Sequence, residues 1–171
     1  MEGLVQMYRK KQIIYIAHCV LNQNSVIRDW ERAQGAFNDI IRVLLDENIS
    51  IVQLPCPEFT FLGESRLPMT KEGYDVREYR NLCNKLAENI IDQMKEYIAQ
   101  GYQLVGILGI EGSPTCDTLG EKGIFMEELQ SLMNKDNIHL ETFDIPENYE
   151  EGSGQKIIFQ FKKFIDKAIK K

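Results

Sequence analysis

The sequence predicts an α/β fold: a single doubly wound domain with a mainly parallel sheet of about four strands and helices on both faces. Three observations carry this. Apolar runs of strand length alternate four times with longer segments of helical period. The first of those runs is continuous rather than alternating, as a strand covered on both faces is. The 171 residues contain no repeat, low-complexity tract or long Gly/Ser/Pro linker, so residues 1–171 fit one domain.

In order, "QIIYIAH" is rich in β-branched residues and supplies the first strand. Phe37, Ile40, Ile41, Leu44 and Leu45 then recur at helical spacing and draw one apolar stripe. "ISIVQLP" is the second strand. From Tyr74 to Tyr97 the stripe Tyr79, Leu82, Cys83, Leu86, Ile90 and Met94 predicts a helix of about six turns, with Gly101 placed as its C-terminal cap. The third strand is "QLVGILGI". A shorter helix runs through Phe125, Leu129, Leu132 and Met133, and "IHLETF" is the fourth strand, with His139 read as structural. Ser153 is the expected cap of a last helix striped by Ile157, Ile158, Phe161, Phe164, Ile165, Ala168 and Ile169. Strands alternating with helices imply right-handed crossovers. In such sheets ligands bind outside the carboxyl ends of the strands, so the loops after each strand are the functional ones.

The formal net charge of −6 and a pI near 5.1 argue against a protein that neutralises the phosphates of a long nucleic acid. Arg9, Lys10 and Lys11 precede an apolar run too short for a signal sequence or a membrane span. A cytoplasmic location follows as the expectation, with thiols kept reduced. The four cysteines therefore need an account other than disulfides.

Cys19 ends the first strand in "IAHCVLNQNS", Cys56 follows the second in "LPCPEF", and Cys116 follows the third in "GIEGSPTCDT". All three fall on the predicted ligand edge, whereas Cys83 lies in an apolar helical stripe as a small hydrophobe. No close CxxC pair is present, which is how zinc ribbons present two thiolates to one ion. Three thiols meeting from separate loops would suit zinc, copper or an iron–sulfur cluster. Glu58, stiffened by Pro57, is a candidate proton carrier or a solvated loop acid; Ser113 is a candidate site hydroxyl or a turn cap. His18, Asn22, Asn24 and Arg66 are candidate substrate contacts, with a satisfied histidine, turn-forming polar residues and a solvated arginine as the alternatives.

The motifs Cys56-Pro57-Glu58 and Gly112-Ser113-Pro114-Thr115-Cys116, with a cysteine after the first strand, resemble the TudS-like thiouracil desulfidases over the first two-thirds of the chain. The resemblance implies that Cys19, Cys56 and Cys116 hold a [4Fe-4S] cluster whose remaining iron binds the sulfur of a small-molecule thiocarbonyl substrate such as a thiolated nucleobase. It further implies hydrolytic loss of sulfur without net redox change, with Glu58 and Ser113 in acid/base roles. The chain departs from the family pattern in two places. Ala17-His18-Cys19-Val20-Leu21-Asn22 stands where Ser-Ala-Cys-Leu-Leu-Gly is usual, and Asp117 stands where a glycine commonly follows the third cysteine. Both departures are expected to line the pocket and mark a related branch.

Two other readings fit the same residues. One is a cysteine-nucleophile hydrolase or transferase with His18 or Glu58 as base. The other is a non-catalytic module with a structural zinc, for which His18 is an awkward fourth ligand because adjacent strand residues point to opposite faces.

Overall fold

Continuous apolar runs become the centre of the sheet. The computed structural model of the protein describes residues 8–171. Its strands are β1 (Gln12–Ile16), β2 (Ser50–Gln53), β3 (Gln103–Ile110) and β4 (Thr142–Ile145). All pairings are parallel, in the order β2-β1-β3-β4, which matches the predicted doubly wound α/β class. The central β1 alternates its side chains between two cores. Ile13 and Tyr15 pack with α5 (Arg77–Ala99) and α6 (Ile124–Lys135) on one face. Ile14 and Ile16 pack with α2 (Asn38–Asp46) and α7 (Gln155–Ile169) on the other.

Three short helices complete the described chain, namely α1 (His18–Leu21), α3 (Pro57–Leu62) and α4 (Lys71–Tyr74), with a 3-10 turn at Gln23–Ser25. Among the described residues no helix is long and apolar enough to cross a membrane. The chain steps from β1 to β2 on one side and then crosses back past β1 to β3 on the other. The crevice above the carboxyl ends of β1 and β3 is thus the topological switch point at which such sheets take ligands.

Several boundaries differ from expectation. The fourth strand starts at Thr142, because Ile138 closes the preceding helix and Leu140 packs on the core outside any strand. Asn137 adopts a left-handed φ of 54°, and Ile138 N donates to Met133 O at 2.9 Å, so buried Ile138 is the apolar residue of a Schellman termination. His139 is exposed and outside any strand. The long helix is interrupted at Asp75–Val76, giving α4 and α5. Ser153 does not cap α7; Gly154 occupies the N-cap without a side-chain bond. Cys19 stands in the helical turn α1, not on a strand.

Candidate functional site

Three strand-to-helix loops deliver the chemistry-bearing side chains to one cavity. Its volume is about 500 Å³, and its lining includes Cys19, Cys56 and Cys116 together with His18, Glu58, Arg66 and Ser113. Cys83 stays in the core between α5 and the sheet. Asn22 and Asn24 do not line this cavity. Asn22 Oδ1 instead accepts from Asn24 N at 3.1 Å to cap the 3-10 turn, and Asn24 borders a separate open depression.

Each cysteine is held by local backbone logic. After β1 the chain turns at once into α1, so His18 and Cys19 share one helical turn and line the same cavity. The strand-based objection to their acting together therefore falls. His18 Nδ1 lies 3.2 Å from Leu54 O; the carbonyl can only accept, so Nδ1 carries the proton and Nε2 is left as an acceptor or second donor. Cys56 is the N-cap of α3, with Pro57 at the first helical position, and its Sγ accepts from Phe59 N at 3.4 Å. Cys116 follows a turn tied by Ser113, whose Oγ accepts from Thr115 N at 3.2 Å and Cys116 N at 3.0 Å. Both acceptor positions of Ser113 are thereby used and its hydroxyl proton remains to be donated.

The Cys116 loop runs close to its neighbours. A Cβ at Gly109 would collide with the Asp144 carboxylate and Cys116 O, and one at Gly123 with the Thr115 backbone. Asp117 does not line the cavity as its position after the third cysteine suggested. It is buried and accepts from Gly112 N at 2.8 Å, Leu119 N at 3.1 Å and Gly120 N at 2.7 Å, so it ties the loop from behind.

Glu58 belongs to a buried network, and Arg66 is not a solvated loop residue. The Arg66 side chain is only 3% exposed. Its Nε donates to Glu58 Oε2 at 3.2 Å and its Nη2 to Ser25 O at 2.8 Å. Tyr74 Oη donates to the same Oε2 at 3.3 Å, and Thr115 Oγ1 donates to Oε1 at 2.7 Å. Tyr79 Oη, 2.8 Å from Thr115 Oγ1, is the donor of that pair because the threonine proton is committed to Glu58. Burial, then the Glu58 charge, push the Tyr74 phenol up to about 12, so it keeps its proton and donates. A carboxylate has about four acceptor positions; these three donors leave Oε1 with a vacant one.

Burial is also the largest influence on the thiols. It pushes Cys19 up to about 12, with the Cys56 charge adding to it. Cys56 rises for the same reason, opposed by the Phe59 N–H. Cys116 rises well above the usual thiol range through burial and then through Cys19 and Cys56. The three thus sit within electrostatic reach of one another, in a place where three bare thiolates would be costly without a cation.

Three wall residues carry no signal in the motifs. Arg32 Nη1 donates to Pro146 O at 2.6 Å, Glu147 O at 3.0 Å and Tyr149 O at 3.2 Å, at the edge of the cavity. Gln23 is buried and joins Cys19 O (2.8 Å from Nε2) to Arg32 N (2.9 Å from Oε1). Thr115 stands in the sequence only as the spacer between Pro114 and Cys116. The charged loop around Arg32 is a signal of exposure alone, since nothing local records that the loop after β4 meets it.

Among the described residues, no group of three or more His, Cys, Asp or Glu side chains could hold a metal ion as it stands. A single zinc draws thiolates to about 2.3 Å. The donor set here, three soft thiols around one cavity, fits a sulfide-bridged iron group in its chemistry, as it would zinc or copper.

The family model described as "Putative 2-thiouracil desulfurase" matches residues 11–132. An uncharacterized protein of Methanocaldococcus jannaschii, MJ0003, is 44% identical over 160 residues, spanning 94% of this chain and 98% of its own length. No solved structure gives a significant match.

Proposed function

The chain belongs to that desulfurase family, and from this membership we propose that it is an iron–sulfur-dependent enzyme that removes sulfur hydrolytically from a small thiocarbonyl compound. The single observation that carries the reading is the convergence of Cys19, Cys56 and Cys116, from three different strand ends, on the cavity that Glu58 also lines. Those three cysteines would hold a [4Fe-4S] cluster. When bound through three thiolates, such a cluster keeps one iron free of protein ligand and supplies a Lewis acid for the substrate sulfur.

The protein's own residues account for the proton traffic. Glu58 is paired with Arg66 and oriented by Tyr74 and Thr115, and its vacant Oε1 position accepts a proton from a cavity water as the water oxygen adds to the thiocarbonyl carbon. The Ser113 hydroxyl donates a hydrogen bond to the heteroatom on which negative charge develops. Glu58 returns that proton to sulfur and, as the C–S bond breaks, takes the remaining proton from the added hydroxyl, which then leaves with the departing HS⁻ as hydrogen sulfide. In sum a C=S group and water give a C=O group and hydrogen sulfide, with no electron left over. Burial pushes all three cavity thiols up, the reverse of what activates a nucleophilic cysteine, which weighs against a thiol-nucleophile reading.

The test is anaerobic reconstitution with iron and sulfide, counting both per chain, followed by incubation with 2-thiouracil and measurement of uracil and sulfide. Iron and sulfide are expected in wild type and in Cys83→Ala, and to be lost in Cys19→Ala, Cys56→Ala and Cys116→Ala. Equal iron content in all of these variants, or none in wild type, removes the cluster from the proposal.

A further inference from the structure

Residues 26–37 run without regular structure, and Val26, Ile27, Trp30 and Arg32 among them line the cavity; the segment is tied at two points. On one side Arg28 Nε donates to Glu64 Oε1 at 2.8 Å. On the other, Arg32 is fixed through its backbone N to Gln23 and through its guanidinium to three carbonyls of residues 146, 147 and 149. Between these anchors Trp30 N donates to Ile27 O at 3.0 Å, closing a tight turn in which Asp29 takes a left-handed φ of 69°. Glu151 N adds a bond to Arg32 O at 3.3 Å.

This pinned turn presents Trp30, the chain's one tryptophan. It is 62% exposed, and it lines the same cavity as the three thiols. The firm anchor is Arg32, the solvated Arg28–Glu64 pair being only a tether, and the indole between them is left uncovered. The same cavity also presents apolar side chains, Val26, Ile27, Met69, Ile110 and Pro114. A flat ring entering this space would cover the indole and be gripped by stacking and dispersion, whereas a short aliphatic thioamide would leave it in water.

We propose that Trp30 is a specificity-determining residue: its indole stacks on the ring of the substrate and restricts the enzyme to flat heteroaromatic thiocarbonyl compounds. This rests on the desulfurase reading for the reaction, but the stacking itself is independent of iron.

The experiment follows Trp30 emission, which has no other tryptophan to obscure it, while iron-free and iron-loaded wild type are titrated with uracil, a flat ring without sulfur, and with acetamide. In parallel, KM and kcat for 2-thiouracil and thioacetamide are measured for wild type, Trp30→Phe and Trp30→Ala. Saturable emission change with uracil and none with acetamide is expected. Trp30→Ala should raise KM for 2-thiouracil by about ten- to a hundredfold with kcat little altered, Trp30→Phe should restore most of it, and thioacetamide should be indifferent to both. Absence of a saturable change with uracil in either form of the protein, or equal loss for ring and aliphatic substrates, overturns the proposal. Should desulfuration itself fail while uracil still moves the emission of wild type, the reaction assignment falls and the stacking site stands. Active enzyme with an unchanged KM in Trp30→Ala does the reverse: the stacking falls and the reaction stands.

Discussion

The floor and the rim of the cavity are built on opposite principles. On the floor, the Glu58–Arg66 pair is buried and all but saturated with partners, Thr115, Tyr74, Gly63 and Ser25 among them. At the rim segment 26–37, just outside the cavity lining itself, the Arg28–Glu64 pair is half in water, with side chains 65% and 47% exposed. The contrast teaches that one type of ion pair can have two uses. A buried pair whose members leave few bonding positions empty fixes geometry, because any displacement strands a charge. A solvated pair tethers a segment loosely and costs little to lose.

The sharpest break of this comparison is truncation on the floor. Glu58→Ala leaves the Arg66 guanidinium buried without its counter-ion and should destabilise by about 3–5 kcal/mol in urea unfolding. The double change Glu58→Leu with Arg66→Met should recover much of that stability, since it removes both charges together. Next in size, Thr115→Val deletes the donor to Glu58 and the acceptor for Tyr79, for an expected loss of about 1–3 kcal/mol, most of it restored by Thr115→Ser.

Pairs of intermediate burial should fall between. Glu127 accepts from Lys71 at 2.6 Å and Arg80 at 3.0 Å, joining α4 and α5 to α6. Burial raises its carboxyl, but the bonds from Lys71 and Arg80 outweigh this and hold it below the ordinary 4.5. A carboxyl lowered in the folded state contributes stability above its unfolded value and loses it as pH falls through the folded one. The difference in thermal midpoint between wild type and Glu127→Gln should therefore be constant near neutrality and shrink below pH 4.5. The smallest effect belongs to the rim: Arg28→Ala or Glu64→Ala should cost about 0–1 kcal/mol, and less in high salt. A rim loss as large as the floor loss would end the distinction.

What can be seen in the sequence follows from how local its cause is. The strands β1 and β3 declare themselves because both of their faces are covered, and α2, α5, α6 and α7 because one stripe of each is. The ligand edge then follows from topology, which is why Cys19, Cys56 and Cys116 can be grouped without coordinates. Ile138 misleads because an apolar residue reads alike whether it pairs in a strand or closes a helix end. The turn α1 is too short to show a period. Arg66 reads as solvated because its partners, Glu58 and Ser25, come from other loops. Trp30 and Arg32 lie in a connection whose anchors, Glu64 and the carbonyls of residues 146, 147 and 149, are remote in sequence. Asp117 reads as a pocket residue through its adjacency to Cys116, but the turn that buries it faces the other way.

The distribution of the thiols over three crossover loops also sets a timetable. Cys19 and Cys56 are placed once β1 and β2 pair, but Cys116 arrives only when β3 docks along the far side of β1. A chain emerging from the ribosome has no complete ligand set until roughly two-thirds of it has been made and the longest loop has closed, the slow kind of contact in folding. The cluster proposed above would find only two of its three cysteines in place before then. On the proposed reading, cluster loading would thus come after β3 has docked, so the two-core fold described above would form before its cofactor does.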